Sequence, residues 1–196
     1  MIRWLSMGLS LGMLPLLSGR ALALPGQTAD EVAAWIKGNP TLQGATGEVL
    51  VVRRSDTPAR RYIFQASVLP PGRIRPTPNS EIIRTEQFSL FDMVNKVTTD
   101  RLEESLRILY GLDIYQDYNR ARPVLTYPNP AALSQSVNQV RPLIAALQGE
   151  LRVGERYAYW TEIAKSPKGY SYTGQITVLL KEDAGVLEAE LRERRL

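Results

Sequence analysis

The strongest alternation of hydrophobic and polar positions runs from Arg156 to Lys181, a stretch that reads RYAYWTEIAKSPKGYSYTGQITVLLK. Tyrosines and β-branched residues recur at every second position on both arms, which is typical of strands in a half-buried sheet. Between the arms, the KSPKG segment supplies a proline that fixes φ and a glycine that accepts positive φ. The pattern predicts a long antiparallel hairpin near the centre of a sheet.

Weaker period-2 patterns predict the other strands. The first two face each other across the turn-forming residues 55–59 and form a second hairpin. The last one leads into the long hairpin and contains Gly149 as a candidate β-bulge. The predicted strands are Glu48–Arg54, Arg61–Val68, Glu81–Phe88, Val124–Tyr127 and the second half of Leu143–Val153.

Capping signals and apolar positions at helical spacing predict the helices. Thr28 and Glu31 form a capping box, and Trp35 lies on the apolar face of the helix that follows. The strongest helix covers Asp100–Tyr110, where leucines recur at i, i+4 and i+7. Leu112–Tyr118 is predicted to be a connector whose tyrosines pack under the sheet. Two more helices are predicted, one after Asn129-Pro130 and one over Ala184–Arg195 with Asp183 as its N-cap.

These elements predict a single α+β domain over residues 24–196. We expect one antiparallel sheet of about five to seven strands, with three or four helices packed at its face and ends. Residues 1–23 are predicted to be a secretory signal peptide, with Arg3, an apolar run and an A-x-A pattern at Ala21–Ala23. The alternative is an uncleaved membrane anchor, but the run is short and interrupted, whereas a span needs about twenty apolar residues. We therefore expect an exported protein that is soluble after cleavage.

The chain contains neither cysteine nor histidine, and this limits its chemistry. Thiol chemistry and thiolate metal sites are excluded, and the usual general base near neutral pH is missing. Ser-His nucleophile pairs and the common zinc ligands are missing with it. No phosphate-binding loop, dinucleotide fingerprint or nucleophile elbow is present in the sequence. We expect no cofactor and no metal ion, and these absences favour a binding protein over an enzyme.

The net charge is +4, of which Arg3 and Arg20 belong to the predicted signal peptide. The remainder is slightly basic, so nucleic acid is not an expected partner. Six arginines nevertheless cluster around the first hairpin turn and in the proline-rich loop that follows. They could dock on an acidic protein partner, an anionic membrane surface or an anionic polymer, or they could form a solvated face with local ion pairs. The six are Arg53, Arg54, Arg60, Arg61, Arg73 and Arg75.

Aromatic and acidic residues supply the other candidate sites. Five aromatic residues of the long hairpin could line a site for a flat ligand, or they could pack across the strands. Three carboxylates, Glu86, Asp92 and Glu162, are candidates for hydrolysis, since glycosidases need only two suitably spaced acids. Asp113 and Asp117 could share a calcium ion, but the glycine and terminal glutamate of a calcium loop are missing. The aromatic five are Tyr157, Tyr159, Trp160, Tyr170 and Tyr172.

Three segments make the chain similar to a group of small exported proteins of cyanobacteria: LPGQTADEVAAWIKGNP (24–40), IRTEQFSLFDMVN (83–95) and LYGLDIYQDY (109–118). The resemblance implies the periplasm or the thylakoid lumen and assigns no activity and no catalytic residue. The leading hypothesis is a non-enzymatic exported protein that binds a partner protein or a membrane-bound complex through its basic loop. A carrier of a small apolar or aromatic ligand and a carboxylate-based hydrolase remain as alternatives.

Overall fold

A computed structural model describes residues 24–71, 81–129 and 146–195 of the 196-residue chain. The predicted signal peptide, the proline-rich loop with Arg73 and Arg75, and the helix predicted after Asn129-Pro130 lie outside the described residues. No helix within the described ranges is long and apolar enough to cross a membrane.

The described residues form one seven-stranded antiparallel sheet and four α-helices, which confirms the predicted α+β class. The strands are β1 (Val51–Thr57), β2 (Arg60–Ser67), β3 (Thr85–Asp92), β4 (Arg122–Tyr127), β5 (Leu147–Val153), β6 (Tyr157–Lys165) and β7 (Ser171–Leu180). The helices are α1 (Ala29–Gly38), α2 (Thr99–Tyr110), α3 (Leu112–Arg120) and α4 (Ala184–Arg195).

The long hairpin is the middle of the sheet. The strand order is β1-β2-β3-β7-β6-β5-β4, so β7 is the central strand and lies between β6 and β3. The turn after β6 is closed by a hydrogen bond from the Gly169 N–H to the Ser166 carbonyl, with φ of +83° at Gly169. The predicted hairpin and its central position are confirmed, because both arms find a hydrogen-bonded neighbour on their outer side.

One face of the sheet carries α1, α2 and α3. Apolar residues at helical spacing, including Ile36, Leu106 and Ile114, are buried there against alternate residues of β2, β3, β6 and β7. Trp35 packs between Phe64 and Tyr110, with ring centroids at 5.7 and 6.0 Å, so it is the core anchor that the sequence predicts. Packing of these amphipathic faces gives the helices most of their stability.

The opposite face carries α4. Leu187 and Leu191 pack there against Leu125, Leu151 and Leu179 in a second hydrophobic cluster. A short 3₁₀ turn, Lys181–Asp183, leads from β7 into the helix.

A buried ion pair fixes the approach to α4. The Arg84 Nε and Nη2 donate to the two carboxylate oxygens of Asp183 at 2.9 and 2.8 Å, and both residues are only 7% exposed. The sequence predicts Asp183 as a helix cap. Its carboxylate binds the guanidinium of Arg84, which lies 99 positions earlier in the chain. A bidentate pair of this kind adds geometric specificity as well as energy.

Three local predictions are wrong in their bounds. The third strand, Thr85–Asp92, starts and ends four residues later than predicted, because it pairs on both sides with β2 and β7. The first hairpin turn is reduced to Pro58-Ala59, since Thr57 pairs with Arg60. The predicted connector is the helix α3: aspartate, tyrosine and asparagine are weak helix formers, but Ile114 and Tyr118 bury an i, i+4 face.

Gly149 is not a bulge. It pairs in regular register with Tyr127 on one side and Glu162 on the other. The Tyr127 side chain lies across it, and a Cβ built at Gly149 would be 2.3 Å from the tyrosine hydroxyl. That hydroxyl donates to Glu162 at 2.6 Å and accepts from Trp160 Nε1 at 2.7 Å. The glycine therefore makes room for a cross-strand polar cluster.

We expect Gly149→Ala to lower the free energy of unfolding by about 1–3 kcal/mol, the usual range for overpacking. The measurement is urea denaturation followed by circular dichroism. The matched control is Gly185→Ala in α4, where a Cβ would meet nothing within 4 Å; we expect it to be neutral or slightly stabilising, because alanine favours helix. An unchanged midpoint for Gly149→Ala would contradict the close approach of Tyr127.

Candidate binding surface

Three chain reversals meet at one end of the sheet, which we call the turn end. They are Pro58-Ala59 between β1 and β2, Asp92–Lys96 after β3, and Ser166–Gly169 between β6 and β7. The strand pairing places them together, since Asp92 pairs with Arg60 and Lys165 pairs with Ser171. The Val97 N–H also donates to the Ser171 carbonyl at 2.8 Å, so the start of α2 joins the same end.

The carboxylate of Asp92 organises the loop between β3 and α2. Its Oδ1 accepts from the N–H groups of Val94 and Asn95 at 2.9 and 2.8 Å, and its Oδ2 accepts from Arg101 Nη2 at 2.9 Å. Arg60 Nε lies 3.8 Å from the same Oδ2. Burial alone raises the pKa of Asp92, but these hydrogen bonds outweigh it and lower the pKa to about 2. The loop is therefore held by a permanent negative charge that two arginines neutralise.

Two apolar side chains project from this loop. Met93 is 54% exposed and Val94 is 65% exposed. The Met93 N–H donates to the Ala59 carbonyl at 2.9 Å, so the tip is fastened to the neighbouring reversal. Lys96 completes the loop with φ of +62°, a left-handed conformation that is uncommon outside glycine. We refer to Met93 and Val94 as the apolar tip.

Cations are exposed at the same end of the sheet as the apolar tip. Arg61, Lys96 and Lys168 are exposed at the turn end. The Arg61 guanidinium lies 4.4 Å from the centroid of the Phe91 ring, and the Lys96 ammonium lies 4.6 Å from the centroid of Tyr170. Cation–π contacts of this kind orient the side chains without removing their charge.

The six predicted arginines do not form one patch in the described part of the chain. Arg53 and Arg61 lie on the α4 side of the sheet, whereas Arg54 and Arg60 lie on the side of α1–α3. Arg54 is paired with Glu48 at 2.9 Å and also donates to the Gln43 carbonyl. Arg60 is shared between Asp92 and an exposed Asp56. Of these four, the exposed pair on the α4 side contributes the available charge.

The five predicted aromatic residues are divided among three places. Tyr159 is fully buried among the helices, and Trp160 points to the opposite face. Tyr157 is half-buried at the far end of β6. Tyr170 and Tyr172 make an edge-to-face pair at the turn end, with centroids 5.1 Å apart. The set does not line a common ligand site, but its last two members lie at the same end of the sheet as the apolar tip.

The predicted carboxylates are also kept apart. Glu86 and Asp92 lie at opposite ends of β3, and Glu162 projects from the other face of the sheet. Glu86 is 0% exposed, and its oxygens make no hydrogen bond of ordinary length to the described residues. The Tyr110 hydroxyl lowers the pKa of Glu86, but burial has the larger effect. Burial raises the pKa of Glu86 to about 8, so the group is uncharged near neutral pH. In the described part of the chain, none of these three acids shares a cleft with another of the three.

Asp117 holds α3 to the sheet. Its carboxylate accepts from the Tyr159 hydroxyl at 2.6 Å and from the Glu155 N–H at 2.9 Å, with longer bonds from two more N–H groups of the β5–β6 turn. Asp113, its predicted calcium partner, is exposed on the same helix. Within the described ranges, no group of three or more acidic side chains is arranged to hold a metal ion.

Clefts in the described part of the protein are shallow. One of about 350 Å³ lies beside the start of α2 and includes Lys96, Lys165 and Tyr170. Another of about 100 Å³ lies between Arg60, Arg61 and Phe91.

Sequence reasoning missed the apolar tip, although the segment FDMVNK places two apolar residues between a strand and a helix start. Comparison of the chain with protein families, characterised proteins and solved structures finds no match.

We expect the stability difference between wild type and Glu86→Gln to depend on pH. The folded pKa of about 8 exceeds the usual value of 4.5, so the unfolded state releases its proton first and wild type loses stability as pH rises. The difference should grow by about 1.4 kcal/mol per pH unit through this window in favour of the glutamine variant. Urea unfolding at pH 5, 7 and 8.5 measures it. The control Glu104→Gln, at an exposed acid whose pKa is lowered by Arg107, should show no such trend; a constant difference for Glu86→Gln would refute the raised pKa.

We expect Asp117→Asn to lower the free energy of unfolding by about 1–3 kcal/mol, because buried donors of Tyr159 and the β5–β6 turn lose part of their acceptor. Asp113→Asn is the matched control on the same helix, where loss of a first-turn charge should cost at most about 0.5 kcal/mol. Chemical denaturation of both variants measures the effect. Equal losses would show that helix electrostatics, and not the tie to the sheet, explain the role of Asp117.

Proposed function

We propose that this chain is a non-enzymatic binding protein that docks through its turn end onto an anionic partner surface, either a membrane-bound complex or the membrane itself. The observation that carries the proposal is the exposed apolar tip, Met93 and Val94, at the same end of the sheet as the exposed cations Arg61, Lys96 and Lys168. Exposed apolar side chains rimmed by charge are typical of interaction sites.

The state of the acidic residues supports binding over catalysis. A catalytic acid must reach its substrate, but Glu86 is fully buried. Asp92 is held by two N–H groups and two arginines, so its carboxylate is committed to the loop. Glu162 accepts from Tyr127 on the other face. The three acids named for the hydrolase alternative are therefore kept apart in the described residues.

The carrier alternative has less support than docking. The Tyr159 hydroxyl donates a hydrogen bond to Asp117, and the Trp160 indole N–H donates one to the Tyr127 hydroxyl. A site for a drug-sized ligand is normally a largely enclosed apolar cavity of about 300–1,000 Å³. Three clefts of about 330, 350 and 590 Å³ reach this size, but each has charged residues of both signs in its lining, so an apolar ligand is not favoured in them.

The proposed place of action is the periplasm or the thylakoid lumen. Support comes from the sequence, in which an apolar run and an A-x-A pattern precede Leu24. Leu24 is itself buried, at 4% exposure. The chain without cysteine needs no oxidising environment to complete its fold.

Docking is tested with two triple variants that remove equal charge. The turn-end variant is Arg61→Ser, Lys96→Asn and Lys168→Ser, with asparagine at position 96 because it tolerates positive φ. The control is Lys37→Ser, Arg107→Ser and Arg192→Ser, which removes exposed cations of α1, α2 and α4. Each purified protein is sedimented with envelope membranes that retain their proteins. We expect the turn-end variant to lose at least about tenfold in affinity, since each cation near an anionic surface contributes about 1 kcal/mol, and the control to bind like wild type.

The two triple variants separate local from general electrostatics. Equal weakening of both variants would mean that net charge alone drives sedimentation, and the docking proposal would then be wrong. Wild-type binding by the turn-end variant would have the same consequence.

A further inference from the structure

We propose that the surface bound by the turn end is an anionic lipid bilayer, and that Met93 and Val94 insert into its headgroup layer. This inference rests on the proposed docking function and names its partner. It starts from the shape of the site: the apolar tip is a convex turn made of two adjacent exposed side chains. A stable protein interface buries about 800 Å² on each partner, whereas a fluid bilayer can receive a small convex tip.

The backbone of the tip is prepared for a dry environment. Insertion is costly when N–H groups lose water without finding a partner. The Met93 N–H donates to the Ala59 carbonyl, and the next two N–H groups donate to Asp92 Oδ1. Three consecutive donors are thus satisfied inside the protein, and the tip can leave water without exposing them.

The charges around the tip match an anionic surface. Asp92, the acid nearest the tip in sequence, is 1% exposed and is paired with Arg101 and Arg60. Asp56 and Asp100 are exposed acids at this end. Arg61, Lys96 and Lys168 are exposed there as well, and Arg60 pairs with Asp56, so the exposed groups together carry a net positive charge. Basic groups of this kind are attracted to anionic lipid headgroups, and their apolar stems can lie along the interface while the charge stays in water.

An aromatic residue, Tyr170, also lies at the turn end. Tyr170 lies under the Lys96 ammonium at 4.6 Å and against Tyr172 at 5.1 Å. Tyrosine side chains are enriched where a protein meets lipid headgroups, because one end of the ring system is apolar and the other is polar. The apolar tip, the cations and Tyr170 together provide the components of shallow insertion: buried apolar area combined with electrostatic attraction.

The test uses the natural absence of cysteine in this chain. Met93→Cys creates a single labelling site for an environment-sensitive fluorophore at the tip. Ile108→Cys is the matched control, since Ile108 is also 54% exposed but lies near the far end of α2. Each labelled full chain is mixed with vesicles of phosphatidylcholine alone or of phosphatidylcholine with phosphatidylglycerol. The N-terminal segment is common to both proteins, so a difference between the labels reports the turn end.

We expect a blue shift for the Met93 label with phosphatidylglycerol vesicles, little shift with phosphatidylcholine alone, and no shift for the Ile108 label. In unlabelled protein, Met93→Ser with Val94→Ser should weaken binding to the anionic vesicles about tenfold, since half-exposed apolar side chains lose their burial in lipid. The variant keeps every cation, and its unfolding midpoint should stay close to wild type because both side chains are exposed.

Two results would overturn the insertion proposal: no blue shift at Met93 with anionic vesicles, or equal shifts at Met93 and Ile108. Charge-dependent sedimentation with envelope membranes, combined with no shift on pure lipid, would assign the turn end to a protein partner and leave the docking function standing. Failure of the wild-type protein to bind either envelope membranes or pure lipid vesicles would reject both proposals.

Discussion

The carboxylate of Asp92 is the interaction on which the proposed binding surface depends. It joins three elements that are separate in sequence: the end of β3, the start of α2 through Arg101, and the β1–β2 hairpin through Arg60. At the same time it caps the N–H groups of Val94 and Asn95. Charge-assisted hydrogen bonds are stronger than neutral ones, so a single buried acid fixes the shape of the tip and holds Arg60 and Arg101 beside it.

The other buried acids show two different solutions to the cost of burying a carboxyl group. Asp117 and Asp183 are satisfied, the first by Tyr159 and a chain turn and the second by Arg84. Both tie a helix or a helix approach to the sheet, so their hydrogen bonds specify where α3 and α4 pack. Glu86 has no such partner at hydrogen-bonding distance, and it avoids the cost by remaining protonated. Its burial explains its raised pKa without any catalytic role.

Both faces of the sheet carry hydrophobic clusters, whereas the proposed binding surface lies at one end of the sheet. Amphipathic helices cover the α1–α3 face, and α4 covers part of the other face. The described part of the molecule offers shallow clefts, so its recognisable surface is the convex turn end. A convex apolar tip with satisfied N–H groups suits contact with a broad surface, whereas catalysis and small-ligand binding need concave sites.

The sequence by itself determined the elements that depend on local signals. The β6–β7 hairpin follows from alternation with a proline-glycine turn, and α1 follows from its capping box, which is present between Thr28 and Glu31. Composition alone also shows that the chain has no thiol and no imidazole side chain. These predictions succeeded because the forces involved act within a few residues along the chain.

Tertiary structure decided the rest. A period-2 pattern already places Arg53 and Arg54 on opposite faces, but it does not state which neighbour a strand pairs with, so the sequence could not put Arg53 on the same face as Arg61. It could not connect Arg84 with Asp183 across 99 positions. The sequence pattern predicted a connector where α3 forms. Its residues have weak helix propensity, and only packing against the sheet overcomes that. The apolar tip is defined in the same way, because exposure is a property of the whole packed molecule and not of the residues Met93 and Val94 alone.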